Sequence, residues 1–230
     1  MMTGARPICL LGTMGGGKTQ RLADYADDFE QRGIQYIAFK PSNSPREGID
    51  GHTNEIVSRR RSRIPASIID WDRPEQILDK LNNHIDGVLI DEYHLFDPRL
   101  EDVLFTLMRM DIQPIIAGLT ADYGAVPYEM LPFFLNYGFE FEFLYGKCKK
   151  VEGCNKVGTF NQALKGDELL AYDPKVRRMK GDIKKTDDPK EKVTFTAACV
   201  RHFEFPLGAP KNLRDILKGP EDLLKIRRVE

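Results

Sequence analysis

Gly12-Thr13-Met14-Gly15-Gly16-Gly17-Lys18-Thr19 fits the pattern G-x-x-x-x-G-K-[ST] and stands between two readable elements. Before it, Ile8-Cys9-Leu10-Leu11 is an apolar run that reads as a buried strand. After it, Lys18 to about Gln31 reads as a helix, with Leu22, Ala23, Tyr25, Ala26 and Phe29 at its apolar positions. Glycines let the backbone fold close around an anion, so that consecutive N–H groups and the helix N-terminus point at it. The stretch therefore predicts a nucleotide phosphate cradle formed by Gly12, Thr13, Met14, Gly15, Gly16 and Gly17. Lys18 would reach the outer phosphates and the Thr19 hydroxyl would ligate Mg²⁺.

Working outward, strand-like runs recur at Ile8–Leu11, Tyr36–Phe39, Val88–Ile90 and Pro114–Leu119. Helical stretches separate them, notably Arg21–Gln31, Pro74–Asn83 and Leu100–Met110. Short apolar strands alternating with helices predict an α/β fold: a mostly parallel sheet with helices on both faces. Ser42–Pro65 is polar and rich in Arg, Gly, Ser and Asn, and reads as a long mobile loop beside the phosphate site. Its Ser58-Arg59-Arg60-Arg61-Ser62-Arg63 run fits either phosphate or nucleic-acid contacts, or a solvated loop.

After Gly146 the texture changes, with more Lys and Gly and three of the cysteines, Cys148, Cys154 and Cys199. The chain thus divides into a nucleotide-binding domain over 1–145, a small second domain over 146–205 and a tail over 206–230. In the tail, Leu213, Ile216, Leu217, Leu223, Leu224 and Ile226 could dock as a helix interrupted at Gly219-Pro220.

At 230 residues the chain has room for one sizeable α/β domain and a small appendage. A formal net charge of −1 predicts no strong non-specific pull toward nucleic acid or anionic lipid, so no nucleic-acid partner and no membrane association are expected. No run reaches the roughly 18–20 apolar residues of a membrane span, and the apolar start is too short for a signal peptide. The expected location is the cytoplasm, where four cysteines read as thiols or metal ligands rather than disulfides.

Gly87-Val88-Leu89-Ile90-Asp91-Glu92 is an apolar strand ending in paired carboxylates. Beside a phosphate loop, the first acid of such a pair holds Mg²⁺, often through water. The second can position or deprotonate the attacking nucleophile. Asp91 is accordingly the expected metal-site residue and Glu92 the expected general base.

Together these residues resemble the type II thymidine kinases, the P-loop (RecA-like) class that carries a small zinc domain. Residues 12–19 resemble that family's G-P-M-[FY]-S-G-K-[ST]. Lys40-Pro41-Ser42-Asn43-Ser44-Pro45-Arg46 resembles K-P-x-x-D-x-R, with Ser44 in place of the acid and Arg46 retained. Asp91-Glu92-Tyr93-His94-Leu95-Phe96 resembles D-E-[AG]-Q-F-F, with His94 replacing the glutamine either structurally or as an adjustment of the base pocket. Ala117-Gly118-Leu119-Thr120-Ala121-Asp122-Tyr123, followed by Pro127-Tyr128, resembles A-G-L-D-x-D-F-x-x-x-P-F, which places Tyr123 beside the base. The resemblance spans roughly residues 7–204.

The resemblance also implies a structural zinc. The family holds it with C-x-x-C and, further on, C-x-x-[CH]. Here Cys148 and Cys154 make a wider first pair and Cys199 and His202 the second. Three thiolates and one imidazole suit a closed tetrahedral site, whereas Cys9 reads as a buried thiol within its strand. A family lasso loop over the nucleoside carries I-G-G-x-x-x-Y. Counting back from Cys199, its tyrosine falls on Phe195 and its glycines on Lys190 and Glu191, so the glycines and the hydroxyl are lost.

The resemblance implies transfer of the ATP γ-phosphate to the 5′-hydroxyl of a nucleoside, thymidine first, with ATP, Mg²⁺ and zinc as cofactors and a homotetramer as the assembly. Lys18, Mg²⁺ and Arg46 or Arg59 would stabilise the developing charge. Two other readings stay open. The lost lasso pattern suits a regulatory nucleotide-binding protein on the same fold. Asp91-Glu92-Tyr93-His94 also matches the D-E-x-H box of nucleic-acid motors.

Overall fold

The computed structural model describes residues 6–44, 54–59, 61–177, 188 and 192–210. Strand β1 (Ile8–Gly12) runs into the glycine loop and helix α1 (Lys18–Arg32) leaves it. In chain order there follow β2 (Tyr36–Pro41), β3 (Glu55–Val57), β4 (Arg63–Pro65), β5 (Ser67–Ile69), β6 (Gly87–Ile90), α2 (Leu100–Arg109), β7 (Gln113–Leu119), α3 (Leu131–Asn136) and β8 (Glu140–Leu144). Beyond these come β9 (Gly146–Lys147), β10 (Val157–Gly158), β11 (Phe160–Lys165), β12 (Glu168–Leu169) and β13 (Val193–Ala198).

The main sheet has six strands in the order β5-β2-β6-β7-β1-β8, and every pairing in it is parallel. Parallel strands need crossovers, and the helices supply them on both faces. Alternation along β1 shows how the core divides. Ile8 and Leu10 face Leu22, Ala23, Ala26 and Phe29 of α1. Cys9 and Leu11 face the opposite layer, built from Val103, Leu104 and Leu107 of α2 and Phe133 and Phe134 of α3. Burial of Cys9 pushes its thiol well above the ordinary range, as befits a core residue. Arg21 of α1 also grips Glu142 on the edge strand β8, its Nε 2.7 Å and its Nη2 3.0 Å from the two carboxylate oxygens.

Two local expectations change. The segment Ser42–Pro65 is not loop throughout: β3 and β4 form an antiparallel hairpin whose Ile56 and Ile64 join the core beneath α1. Its turn is tied to α1, because the hydroxyls of Ser58 and Ser62 both donate to Gln20 Oε1, at 2.8 and 3.0 Å. Pro74–Asn83 is shorter than expected, a 3₁₀ turn over Pro74–Lys80. There the Asn82 carboxamide accepts the His84 N–H at 2.9 Å, a local bond that competes with helix continuation. Strands β5 and β8 extend the sheet at its two edges and add to the predicted set.

The later strands pair antiparallel, β9 with β10 and β11 with both β12 and β13. Among the described residues no helix is long and apolar enough to cross a membrane. Arg46, Lys190, Glu191 and the apolar residues of the 206–230 tail from Leu213 onward lie outside the described residues.

Candidate active site

The glycine loop joins β1 to α1, and its glycines answer to close approach as much as to flexibility. A side chain on Gly16 would run into the carbonyl of Leu144, where β8 ends beside the loop. The Lys18 ammonium folds back over the loop and donates to the Thr13 carbonyl at 2.8 Å, and Gly16 N–H donates to the same oxygen at 3.2 Å. Arg59, held in the pinned hairpin turn, brings its guanidinium within 3.1 Å of where a side chain on Gly15 would begin. The loop is thus flanked by two cations, one from its own helix and one from the β3–β4 turn.

Asp91 leaves the end of β6, two strands away from β1, and is buried. Its Oδ2 accepts the Thr19 hydroxyl at 3.1 Å, and its Oδ1 accepts the Glu92 N–H at 3.0 Å. The sheet therefore brings the hydroxyl of the loop motif and the carboxylate of the second motif into contact across 72 residues. Glu92 takes a left-handed backbone conformation (φ 53°, ψ 41°), uncommon for a residue with a side chain. Asp91 meets Thr19 whereas the Glu92 carboxylate lies beside His94, so the two acids have different partners.

His94 is fully enclosed. Its Nδ1 accepts the Leu119 N–H at 3.2 Å, and its Nε2 stands 3.3 Å from Glu92 Oε2. Its ring also packs 4.7 Å from that of Tyr128. Room for this arrangement depends on Gly118, where a side chain would collide with the Tyr93 ring and His94 Nδ1. Tyr93 itself is anchored through its hydroxyl to the Leu119 carbonyl at 2.8 Å.

Tyr123 and Phe195 come together as an aromatic wall, their ring centroids 6.1 Å apart and nearly perpendicular. Tyr172 adds a third ring 5.3 Å from Tyr123. Its hydroxyl donates to Asp122 Oδ2 at 2.9 Å, while Asp122 Oδ1 accepts the N–H groups of Gly124 and Val126, both at 2.9 Å. The Tyr123 hydroxyl in turn accepts the Asp173 N–H at 2.8 Å, and burial pushes that phenol above its ordinary pKa. The wall is therefore fixed by polar bonds at its back.

Cys148, Cys154, Cys199 and His202 converge, with their ligand atoms all within 4.8 Å of one another. Cys148 Sγ lies 3.5 Å from His202 Nδ1. Burial pushes the Cys148 thiol up, but hydrogen bonds from the Cys199 backbone, His202 and the Lys150 backbone outweigh it and lower its pKa to about 6. A thiol poised toward thiolate is what a metal ligand needs. Three sulfurs and one imidazole nitrogen leave no position open for a substrate, and the set fits a structural zinc rather than a catalytic one.

The sequence model of the family described as thymidine kinase matches residues 8–172. The chain belongs to the thymidine kinase family. Two curated thymidine kinases of this family, from Onion yellows phytoplasma and Aster yellows witches'-broom phytoplasma, are each 31% identical to it. They match over 54% and 56% of this chain. A thymidine kinase of Pseudothermotoga lettingae is 24% identical over 67% of this chain and 77% of its own length. The chain spans 57% and 58% of the two phytoplasma proteins, little more than half their length.

Within this family member, the predicted residues Lys18, Thr19, Asp91, Glu92, His94 and Arg59 are gathered at one end of the sheet. Tyr123 and Phe195 meet in a separate aromatic group, and the four metal-ligand candidates form a third. The sequence reading did not single out Tyr172, Asn161 or Gln20. Each acts through polar bonds to segments far away in the chain, a signal that no local pattern carries.

Proposed function

We propose that the protein is an ATP-dependent deoxynucleoside kinase that phosphorylates the 5′-hydroxyl of thymidine. The single observation that carries this reading is the contact of Thr19 with Asp91, with the Glu92 carboxylate beside His94 Nε2. Family membership supports the nucleoside class of substrate. We assign residues 1–145 to nucleotide binding and chemistry and residues 146–205 to the metal-bearing part.

In this reading the triphosphate of ATP lies on residues 12–19, with its outer phosphates at Lys18 and Arg59. The Thr19 hydroxyl and Asp91 would hold Mg²⁺, which would supply charge neutralisation at the phosphates. Glu92 takes the proton of the nucleoside 5′-hydroxyl. The freed oxygen forms its bond to the γ-phosphorus as the bond from that phosphorus to the β–γ bridging oxygen breaks, leaving ADP. Lys18 and Arg59 stabilise the negative charge that spreads over the transferring group. Tyr123 and Phe195 wall the base. His94 orients the Glu92 carboxylate from behind. Cys148, Cys154, Cys199 and His202 hold a structural zinc.

The test is phosphorylation of a panel of thymidine, deoxyuridine, deoxycytidine, deoxyguanosine and deoxyadenosine with ATP·Mg²⁺, read by chromatography. Formation of thymidine monophosphate supports the proposal. Conversion of another nucleoside alone would correct the substrate. ATP binding with no conversion of any of them would overturn the kinase reading in favour of a regulatory nucleotide-binding protein.

A further inference from the structure

We infer that Thr13 is a positioning residue that couples the phosphate loop to the metal-bearing loop, so that nucleotide affinity depends on whether the metal ligands are held together. The inference rests on the nucleotide-binding reading above. Thr13 is fully buried. Its hydroxyl donates to the Gly158 carbonyl at 2.6 Å and accepts the Gly146 N–H at 3.1 Å. Gly146 opens β9 and Gly158 closes β10, and the two face each other in register. Cys148 and Cys154 lie on the stretch between them. One hydroxyl therefore fastens both ends of the segment that carries half of the metal-ligand set.

The other side of Thr13 faces the nucleotide. Its carbonyl accepts Lys18 Nζ at 2.8 Å and Gly16 N–H at 3.2 Å. A shift of the β9–β10 pair thus moves Thr13, and Thr13 carries with it the carbonyl that holds the loop lysine. A parallel tie comes from β11, where Asn161 Oδ1 accepts the Met14 N–H at 2.8 Å and Asn161 Nδ2 donates to the Ala121 carbonyl at 2.8 Å. That second tie keeps the loop in place when the hydroxyl is lost, so its removal should alter geometry rather than unfold the loop. The family pattern G-P-M has proline where this chain has Thr13. Proline has no hydroxyl, so the tie is a property of this chain.

The experiment is a fluorescence titration of the full chain with mant-ATP and Mg²⁺. Wild type and Thr13→Val are each measured zinc-loaded, and again after chelation of zinc and return to Mg²⁺ buffer. Thr13→Val should bind about tenfold more weakly when zinc-loaded, and Thr13→Ser should restore wild-type affinity, as expected for loss and recovery of a buried hydroxyl's bonds. Zinc removal should weaken wild type by a similar factor and change Thr13→Val by less than about twofold, because the link is already cut.

Equal losses on zinc removal in both proteins would overturn Thr13 as the link. Unchanged wild-type affinity after zinc removal would overturn the coupling itself, as would a wild type that takes up no zinc. The wild-type arm needs no variant, so a misfolded Thr13→Val leaves the test standing. A zinc-loaded wild type that binds no nucleotide would overturn the nucleotide reading, and the inference with it.

Discussion

His94 Nε2 stands 3.3 Å from Glu92 Oε2 while His94 Nδ1 accepts the Leu119 N–H. An imidazole nitrogen that accepts cannot also carry the proton, so in the neutral ring the proton sits on Nε2 and points at Glu92. The histidine is thereby locked by the backbone of β7 into the one tautomer that can hold the carboxylate.

This relationship separates two substitutions. Glutamine can accept from Leu119 through its oxygen and donate to Glu92 through its nitrogen, whereas leucine can do neither. His94→Gln should keep kcat within about threefold, and His94→Leu should lower it about 10–100-fold with the KM for ATP little changed. Steady-state kinetics decides the matter, and equal rates for the two variants would remove the positioning role.

Removing the acid itself should cost more. Glu92→Gln keeps the shape and the contact with His94 but removes the proposed proton acceptor. The expected loss in kcat is about 10²–10⁴-fold, with ATP affinity spared. Wild-type turnover by this variant would show that another group takes the proton.

Loop and metal residues should fail differently. If both hold the ion, as proposed, Asp91→Asn and Thr19→Ala should weaken ATP binding in a way that higher Mg²⁺ partly recovers. Lys18→Ala should abolish measurable turnover at any Mg²⁺ concentration, because it removes charge from the phosphates directly. Rates measured across a Mg²⁺ series distinguish the two patterns.

The sulfur cluster predicts about one zinc per chain by elemental analysis. Cys199→Ser should lose it and lower the melting temperature, because a structural ion bound only by the folded state stabilises that state. Cys9→Ser should leave the zinc content unchanged, since Cys9 lies in the core of the main sheet, away from the cluster.

Tyr172→Phe removes only the hydroxyl that reaches Asp122. The aromatic wall keeps its rings but loses one anchor, a loss of about 1 kcal/mol by the usual worth of such a bond. The KM for the nucleoside should rise several-fold while the KM for ATP stays put. Parallel changes in both constants would mean that Asp122 and Tyr172 serve the whole fold rather than the wall.

The central sheet was readable because its strands declare themselves locally. Ile8–Leu11 and Val88–Ile90 are apolar runs with no polar interruption, and the glycine loop and paired acids punctuate their ends. β5 escaped because three residues are too few for a period to show. The β3–β4 hairpin escaped because its turn is held by Gln20 of α1, a polar contact that no propensity encodes. The Thr13 clamp and the Tyr172–Asp122 bond have the same origin, since each joins segments that only the finished fold brings together. Thr19 and Asp91 are the exception: their contact also joins distant parts of the chain, yet each belongs to a motif whose chemistry requires the other.

The strand order carries a cost in time. β1 is made first but lies between β7 and β8, with Ile8 opposite Ile115 on one side and Glu140 on the other. Both edges of that strand wait until more than a hundred further residues have been synthesised. A sheet closed by its earliest strand in this way favours slow, late folding and a nascent chain that exposes Ile8, Leu10 and Leu11 to neighbours on the ribosome. Chaperone supply during synthesis should therefore bear on the yield of folded protein.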